Sequence, residues 1–187
     1  MADTEFTETT DALQLLTEDH RRVEQIFVEL ESGTFNPEAR DELVSQMVEE
    51  LSVHAAVEEQ VLYPAMRKAL PDGDEQVDHA IEEHQEVKDK LAELEEMDET
   101  HATTPVLREL IESVRHHVEE EEGELFAQLR QAIDHDELAK MGQAITAAKK
   151  VAPTHPHPNA PNTPPGNIVA GAVAGVADRI KDAVRKN

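Results

Sequence analysis

One pattern occurs twice in this chain and constrains what it can fold into. His54-Ala-Ala-Val-Glu58-Glu59-Gln-Val-Leu62-Tyr63 and His117-Val-Glu-Glu-Glu121-Glu122-Gly-Glu-Leu125-Phe126 both read His-x3-Glu-Glu-x2-Leu-aromatic. On an α-helix, residues four apart lie on one face, one turn apart. His54 with Glu58, and His117 with Glu121, can therefore aim a nitrogen and a carboxylate at one point. A mixed N/O donor set suits a hard-to-intermediate metal such as iron or manganese. A single His-x3-Glu arises by chance in acidic helices, whereas two copies with matching flanks do not arise so readily.

A second echo completes the constellation. Glu18-Asp-His20-Arg-Arg-Val23 recurs as Glu82-Glu-His84-Gln-Glu-Val87, and Leu30 and Leu94, each flanked by acids, follow ten residues after the histidines. His84 trails His20 by 64 positions and His117 trails His54 by 63. The chain reads as two related helical hairpins, each offering one histidine from its first helix and His-x3-Glu from its second. Two copies of a period this long indicate a paired bundle, since a solenoid needs three or more repeats.

The rest of the sequence supports helices. Glu, Leu, Val and Ala are abundant, with one Tyr and no Trp, which favours an all-α domain over a sheet. The spacing predicts a first helix, capped by Thr10 or Asp11, with Leu13, Leu16, His20, Val23 and Phe27 inward and a stop before Gly33. Asn36-Pro37-Glu38 is a start signal for a second helix carrying Leu43, Met47, Leu51, His54, Glu58 and Val61. Pro64 lacks an N–H and is expected to kink that helix after Tyr63. After the Pro71-Asp-Gly73 turn, Asp74 can cap a third helix with Val77, Ile81, His84, Val87, Leu91 and Leu94 facing in. Thr104-Pro105 opens a fourth, with Leu110, Val114, His117, Glu121 and Leu125 on one side. Short links between four amphipathic helices define an up-down-up-down four-helix bundle, with a short fifth helix over about 136–149.

The expected division is therefore a bundle with its short extra helix over 1–150 and a tail over 151–187. Residues 153–165 hold six prolines and read as an extended linker outside any core. Ile168 to Lys186 is apolar first and then amphipathic, a terminal helix suited to the bundle, a partner or an anionic surface. Residues 1–9 read as frayed.

Placing one histidine in each of four inward stripes brings six groups together: His20, His54, Glu58, His84, His117 and Glu121. The two carboxylates can bridge two metals while the histidines cap them in pairs, leaving open positions on each metal. Six polar groups in a bundle core are costly when unpartnered, and a metal pair satisfies all of them at once. Glu59 and Glu122 project about 100° from the bridging positions, toward a supporting layer or solvent. Glu50 and Glu124 lie near the ligand stripe as candidate extra ligands or proton relays. Tyr63 reads as packing, matching Phe126, with a phenolate or redox role as the alternative. His79, His101, His116 and His135 read as surface residues, and His155 and His157 as an incidental chelate.

These residues resemble the hemerythrin family, in its His, His-x3-Glu, His, His-x3-Glu cation-binding branch, over residues 10–133. The resemblance implies two non-haem iron ions, bridged by an oxo or hydroxo group, held by His20, His54, Glu58, His84, His117 and Glu121. The chain departs from annelid-type oxygen carriers at two places. Ala80 stands where those proteins have the first histidine of a His-x3-His pair, and Glu122 stands where they have an aspartate. The result is a more symmetric, carboxylate-rich site, which disfavours reversible oxygen carriage.

Composition narrows the remaining choices. The absence of cysteine excludes disulfides, thiolate metal sites and thiol catalysis. Formal net charge is −24, and residues 151–187 carry four basic and two acidic side chains, so residues 1–150 carry −26. Such a surface repels nucleic acid. No stretch approaches a membrane span and no secretory signal is visible, which predicts a cytoplasmic protein, here expected to be monomeric. The expected partners are small molecules (O2, H2O2 or NO), with a protein partner for the tail. One function class is an oxidoreductase that disproportionates hydrogen peroxide or consumes nitric oxide under stress. The other is an iron- or oxygen-binding sensor or store without turnover, read out by the tail.

Overall fold

In a computed structural model of the chain, residues 10–33, 36–97 and 103–185 are described, and His101 lies outside them. The elements are α1 (Ala12–Ser32), α2 (Pro37–Val57), α3 (Tyr63–Ala69), α4 (Gly73–Glu96), α5 (Thr103–Glu120), α6 (Phe126–Ala132), α7 (His135–Lys149) and α8 (Gly166–Arg185). α2 continues into α3, and α5 into α6, through single π-helical turns, Glu58–Leu62 and Glu121–Leu125. The four rods α1, α2–α3, α4 and α5–α6 form the expected all-helical bundle. None of the described helices is long and apolar enough to cross a membrane.

Local chemistry sets the helix ends. Asp11, and not Thr10, caps α1 in a reciprocal box: its carboxylate accepts from Gln14 N–H while Gln14 Oε1 accepts from Asp11 N–H. α1 ends at Gly33, whose φ of 66° is the left-handed geometry a C-cap favours. Asn36 caps α2 with Pro37 behind it, as its sequence indicates. At α4 the expectation fails, because the helix already begins at Gly73 and Asp74 instead pairs with Arg67. The reason is contact: a Cβ at Gly73 would lie 2.4 Å from Met66 O, so only glycine lets the chain turn this tightly after α3.

Apolar burial falls into two clusters at different levels of the bundle. One gathers Leu13, Leu16, Leu62, Tyr63, Met66, Phe126, Leu129 and Ile145. The other gathers Val23, Phe27, Leu30, Met47, Leu51, Leu91, Leu94, Leu110 and Val114. His20 falls between Leu16 and Val23 on α1, so the predicted polar groups form a layer separating the clusters. Arg115 ties α5 to α1 by pairing with Glu24 and Glu31. α7 lies across α1, α2 and the first π-turn.

The π-turns correct the straight-helix expectation. Tyr63 N–H bonds to Glu58 O and Phe126 N–H to Glu121 O, five residues back instead of four. One extra residue per turn rotates the downstream side chains by about 100°. Val61 and Leu125, expected to face inward, are half-buried, whereas Tyr63, Met66, Phe126 and Leu129 are buried. Pro64 is not the cause, because its counterpart in the other half is Ala127 and the same turn forms there.

The tail also departs from expectation. Residues 153–165 are not outside the core: Ala152 and Thr154 are buried, Gln85 donates to Pro158 O and Lys88 to Asn162 Oδ1. Arg179 donates to Ala152 O and Lys149 O, satisfying carbonyls at the end of α7. A Cβ at Gly175 would sit 2.1 Å from Val151 O, so α8 approaches this corner through a glycine. His155 and His157 do not form a chelate together. His155 lies between Glu95 and Asp182, while His157 pairs with Asp178.

Candidate metal centre

All six groups singled out by the repeat converge in the polar layer, and all are buried. The inward nitrogens come in pairs: His20 Nε2 lies 3.1 Å from His54 Nε2, and His84 Nε2 lies 3.2 Å from His117 Nε2. Each carboxylate divides its oxygens between the two pairs. Glu58 Oε1 is 3.2 Å from His54 Nε2 and its Oε2 is 3.3 Å from His84 Nε2. Glu121 Oε2 is 3.5 Å from His20 Nε2 and its Oε1 is 3.6 Å from His117 Nε2. His20, His54, Glu58 and Glu121 offer one group of donor atoms mutually within 4.8 Å, and Glu58, His84 and His117 offer a second.

The outward nitrogens also follow the internal two-fold relation. His20 Nδ1 donates to Glu122 Oε1 at 2.7 Å and His84 Nδ1 to Glu59 Oε1 at 3.2 Å. His117 Nδ1 donates to Glu83 Oε2 at 2.8 Å, and His54 Nδ1 faces Asp19 Oδ2 at 3.6 Å. A carboxylate can only accept, so the outer nitrogen carries a hydrogen. In the neutral ring this leaves the Nε2 lone pair pointing inward, as a metal ligand requires. Glu59 is itself held by Lys88 Nζ at 2.6 Å, and Asp19 by Arg22 and Lys149.

Sequence reasoning missed Asp19 and Glu83. Each directly precedes a histidine, yet each serves the histidine of the next helix, so only the repeated acid before His20 and His84 hinted at them. Glu50 and Glu124 do not join the cluster. Glu50 faces Arg22, and exposed Glu124 accepts from Gln128. His79, His116 and His135 are exposed, as expected.

Electrostatics shows what the cluster does without a cation. Burial pushes the His54 imidazole down, but the Glu58 charge and the facing Asp19 carboxylate hold it up at about 10. Burial likewise opposes a charged His117, yet the Glu121 charge and the bond to Glu83 raise it to about 9. Against its own burial, Glu58 is held well below the usual carboxylate range by the His54 charge. Protons on His54 and His117 thus stand in for positive charge that the carboxylates demand. Even so, both oxygens of Glu58 and both of Glu121 are buried and make no well-aligned hydrogen bond, facing only imidazole nitrogens at 3.2 to 3.6 Å. Groups of that kind are rare and costly, and four together indicate a cation-binding chemistry.

Tyr63 breaks the two-fold relation. It is buried as expected for packing, but its hydroxyl lies 2.9 Å from His84 Nε2, at the edge of the cluster. Burial, reinforced by the Glu58 and Glu121 charges, raises its pKa well above the ordinary phenol value, so it keeps its proton. In the other half Phe126 stacks on His20 at 6.0 Å between ring centres and 14° between planes.

The tail reaches this layer through the first π-turn. In that register the next donor to Glu59 O is Pro64, which has no N–H. Asn167 Nδ2 donates to Glu59 O instead, at 3.2 Å. Truncation after Ala152 is expected to preserve cation binding, since all six groups lie upstream, and to lower the melting temperature. Elemental analysis of the truncated protein checks this, and loss of metal would show that α8 closes the site.

A helical bundle with buried, paired histidines and shared carboxylates defines a cation-binding helical protein. The Hemerythrin HHE cation binding domain matches residues 11–129, and the chain belongs to that family. It is 34% identical over 170 residues to an uncharacterized hemerythrin-like protein of Schizosaccharomyces pombe, covering 90% of this chain and 83% of that protein. It is 30% identical over 132 residues to a protein of Nostoc named DNA nickase, covering 70% of this chain but 37% of the relative. A crystal structure of a hemerythrin HHE cation binding domain-containing protein from Mycobacterium kansasii superposes with a TM-score of 0.65 at 22% identity, over 75% of this chain and 85% of that one. At that identity the likeness is one of fold.

Proposed function

We propose that His20, His54, Glu58, His84, His117 and Glu121 hold two iron ions, and that the protein consumes a small oxidant, hydrogen peroxide or nitric oxide, in a stress response. The observation that carries this reading is the four buried oxygens of Glu58 and Glu121, which face only imidazole nitrogens, each carboxylate spanning two histidine pairs. Bound there, a pair of irons supplies two-electron exchange, matched to the conversion of two peroxides into two waters and one dioxygen. The protein's own contribution is positional. Glu122, Glu59, Glu83 and Asp19 aim the four rings, while Phe126 and the apolar cluster around Leu16 and Leu62 limit water on one side. Tyr63 holds a proton at its hydroxyl beside the His84–His117 pair, where a peroxide or nitric oxide can accept a hydrogen bond.

The test is elemental analysis of protein expressed with added iron, followed by measurement of peroxide consumption and, with an added electron donor, of nitric oxide reduction. Two irons per chain, near-ultraviolet bands of an oxo-bridged ferric pair and steady turnover are expected. One zinc per chain, or no metal, would overturn the dinuclear reading. A sensor without turnover is the rival, favoured by the Asn167 bond to Glu59 O, which links the layer to the tail. Stoichiometric binding without steady consumption would select it. DNA nicking is disfavoured for this chain because its formal net charge is −24.

A further inference from the structure

Three more His-x3-Glu pairs lie beyond the repeated motif: His20 with Glu24, whose carboxylate pairs with Arg115, and His79 with Glu83 on α4 and His116 with Glu120 on α5. α4 and α5 pack side by side, so the last two pairs meet on one outer face of the bundle. His79 Nε2 lies 3.8 Å from Glu83 Oε1, in its own helix, and 3.6 Å from Glu120 Oε2, across the helix interface. His116 Nε2 is 3.5 Å from the other oxygen, Glu120 Oε1. Donor atoms of His79, Glu83 and Glu120 lie mutually within 4.8 Å, and His116 adjoins them through Glu120. The first half of the chain has nothing comparable: Leu15, Asp19, Val53 and Val57 occupy the matching positions.

We propose that His79, Glu83, His116 and Glu120 form an outer site for a divalent first-row cation such as Zn2+, Co2+ or Fe2+, joined to the inner layer through Glu83. Two imidazoles and two carboxylates are the donor types such cations take, and exposed histidines beside half-buried carboxylates on two rigid helices need only rotamer changes to close around one. Among the described residues no Lys or Arg pairs with Glu83 or Glu120, whereas Glu59 is neutralised by Lys88 and Asp19 by both Arg22 and Lys149. Here it is the imidazole nitrogens of His79 and His116 that face the carboxylates. The oxygens of Glu83 are already divided between the two sites. Oε2 accepts from His117 Nδ1 at 2.8 Å while Oε1 faces His79. An outer cation therefore draws on Glu83 without breaking its hold on His117, and weakens that acceptor electronically.

The test is equilibrium dialysis of full-length protein against Co2+, whose visible absorption reports coordination by nitrogen and oxygen. Wild type is compared with the His79→Asn/His116→Asn double variant, whose changes are on exposed side chains, and with Glu58→Ala, which removes an inner carboxylate. The double variant is expected to bind one cation fewer per chain than wild type, with its inner content and the melting temperature of its metal-free form unchanged. In Glu58→Ala the outer cation is retained while inner metal is lost, so failure of the inner reading and failure of this one give different patterns. Equal cobalt binding by wild type and the double variant overturns the proposal.

Discussion

Glu58→Ala and Glu121→Ala are each expected to reduce metal content from two ions per chain to one or none. Each removes a carboxylate whose two oxygens serve both histidine pairs, at 3.2 and 3.3 Å for Glu58 and at 3.5 and 3.6 Å for Glu121. With one carboxylate gone, two cations repel each other across the remaining one. The internal two-fold relation makes the two defects similar in size. His20→Ala and His84→Ala are expected to be milder, because each opens only one half of the layer to water. A site filled at about a thousand times its dissociation constant gains about 4 kcal/mol. For a domain of this size each kcal/mol moves the melting temperature by roughly 2–4 °C, so loss of one ion should lower it by about 10 °C. Elemental analysis and calorimetry of the four variants check the ranking. Two ions per chain at wild-type stability in both glutamate variants would make the bridging assignment wrong and direct attention to Glu59 and Glu122.

Metal-stripped and metal-loaded protein are expected to respond to pH in opposite directions. In stripped protein His54 and His117 stand at about 10 and about 9, above the ordinary 6.5. A histidine raised by folding contributes stability that is full below 6.5 and is lost as pH climbs through its folded value. Glu58 is depressed, so its contribution is present above 4.5 and lost as pH falls through its lower folded value. The stripped bundle is therefore most stable between 4.5 and 6.5 and weakens toward 9 and 10. Metal competes with those same protons, so loading near neutral pH should release about two protons per chain, and affinity should rise with pH. Calorimetry across about pH 6 to about pH 9 should show the gap between loaded and stripped melting temperatures widening. An indicator dye in weak buffer should register the protons. A gap that narrowed with rising pH, or loading without proton release, would contradict this account of the layer.

The six central groups were legible because the signals that mark them are local. A histidine and a glutamate four apart share a helix face whatever the helix packs against, and the repeat placed a second set 63 positions on. The caps at Asp11 and Asn36 and the stop at Gly33 were readable for the same reason, since each acts within three or four residues of itself.

Tertiary structure decided which acid meets which ring. Glu122 crosses from the second π-turn to His20, Glu59 crosses from the first to His84, and Asp19 and Glu83 pass over their own neighbours to His54 and His117. Those pairings depend on the relative rotation of packed helices, and the π-turns change that rotation by about 100°. The hydroxyl of Tyr63 reaches His84 for that reason, while Val61 turns half outward. The tail was misread because proline content reports only backbone stiffness. Whether a stiff segment stays free depends on surfaces far away in sequence, and here Gln85, Lys88 and Glu95 on α4 meet it with hydrogen bonds and an ion pair. By itself the sequence determined which side chains form the polar layer, because that is a property of single helices. Only the packed bundle determined what surrounds them, because those contacts join residues that no local periodicity relates.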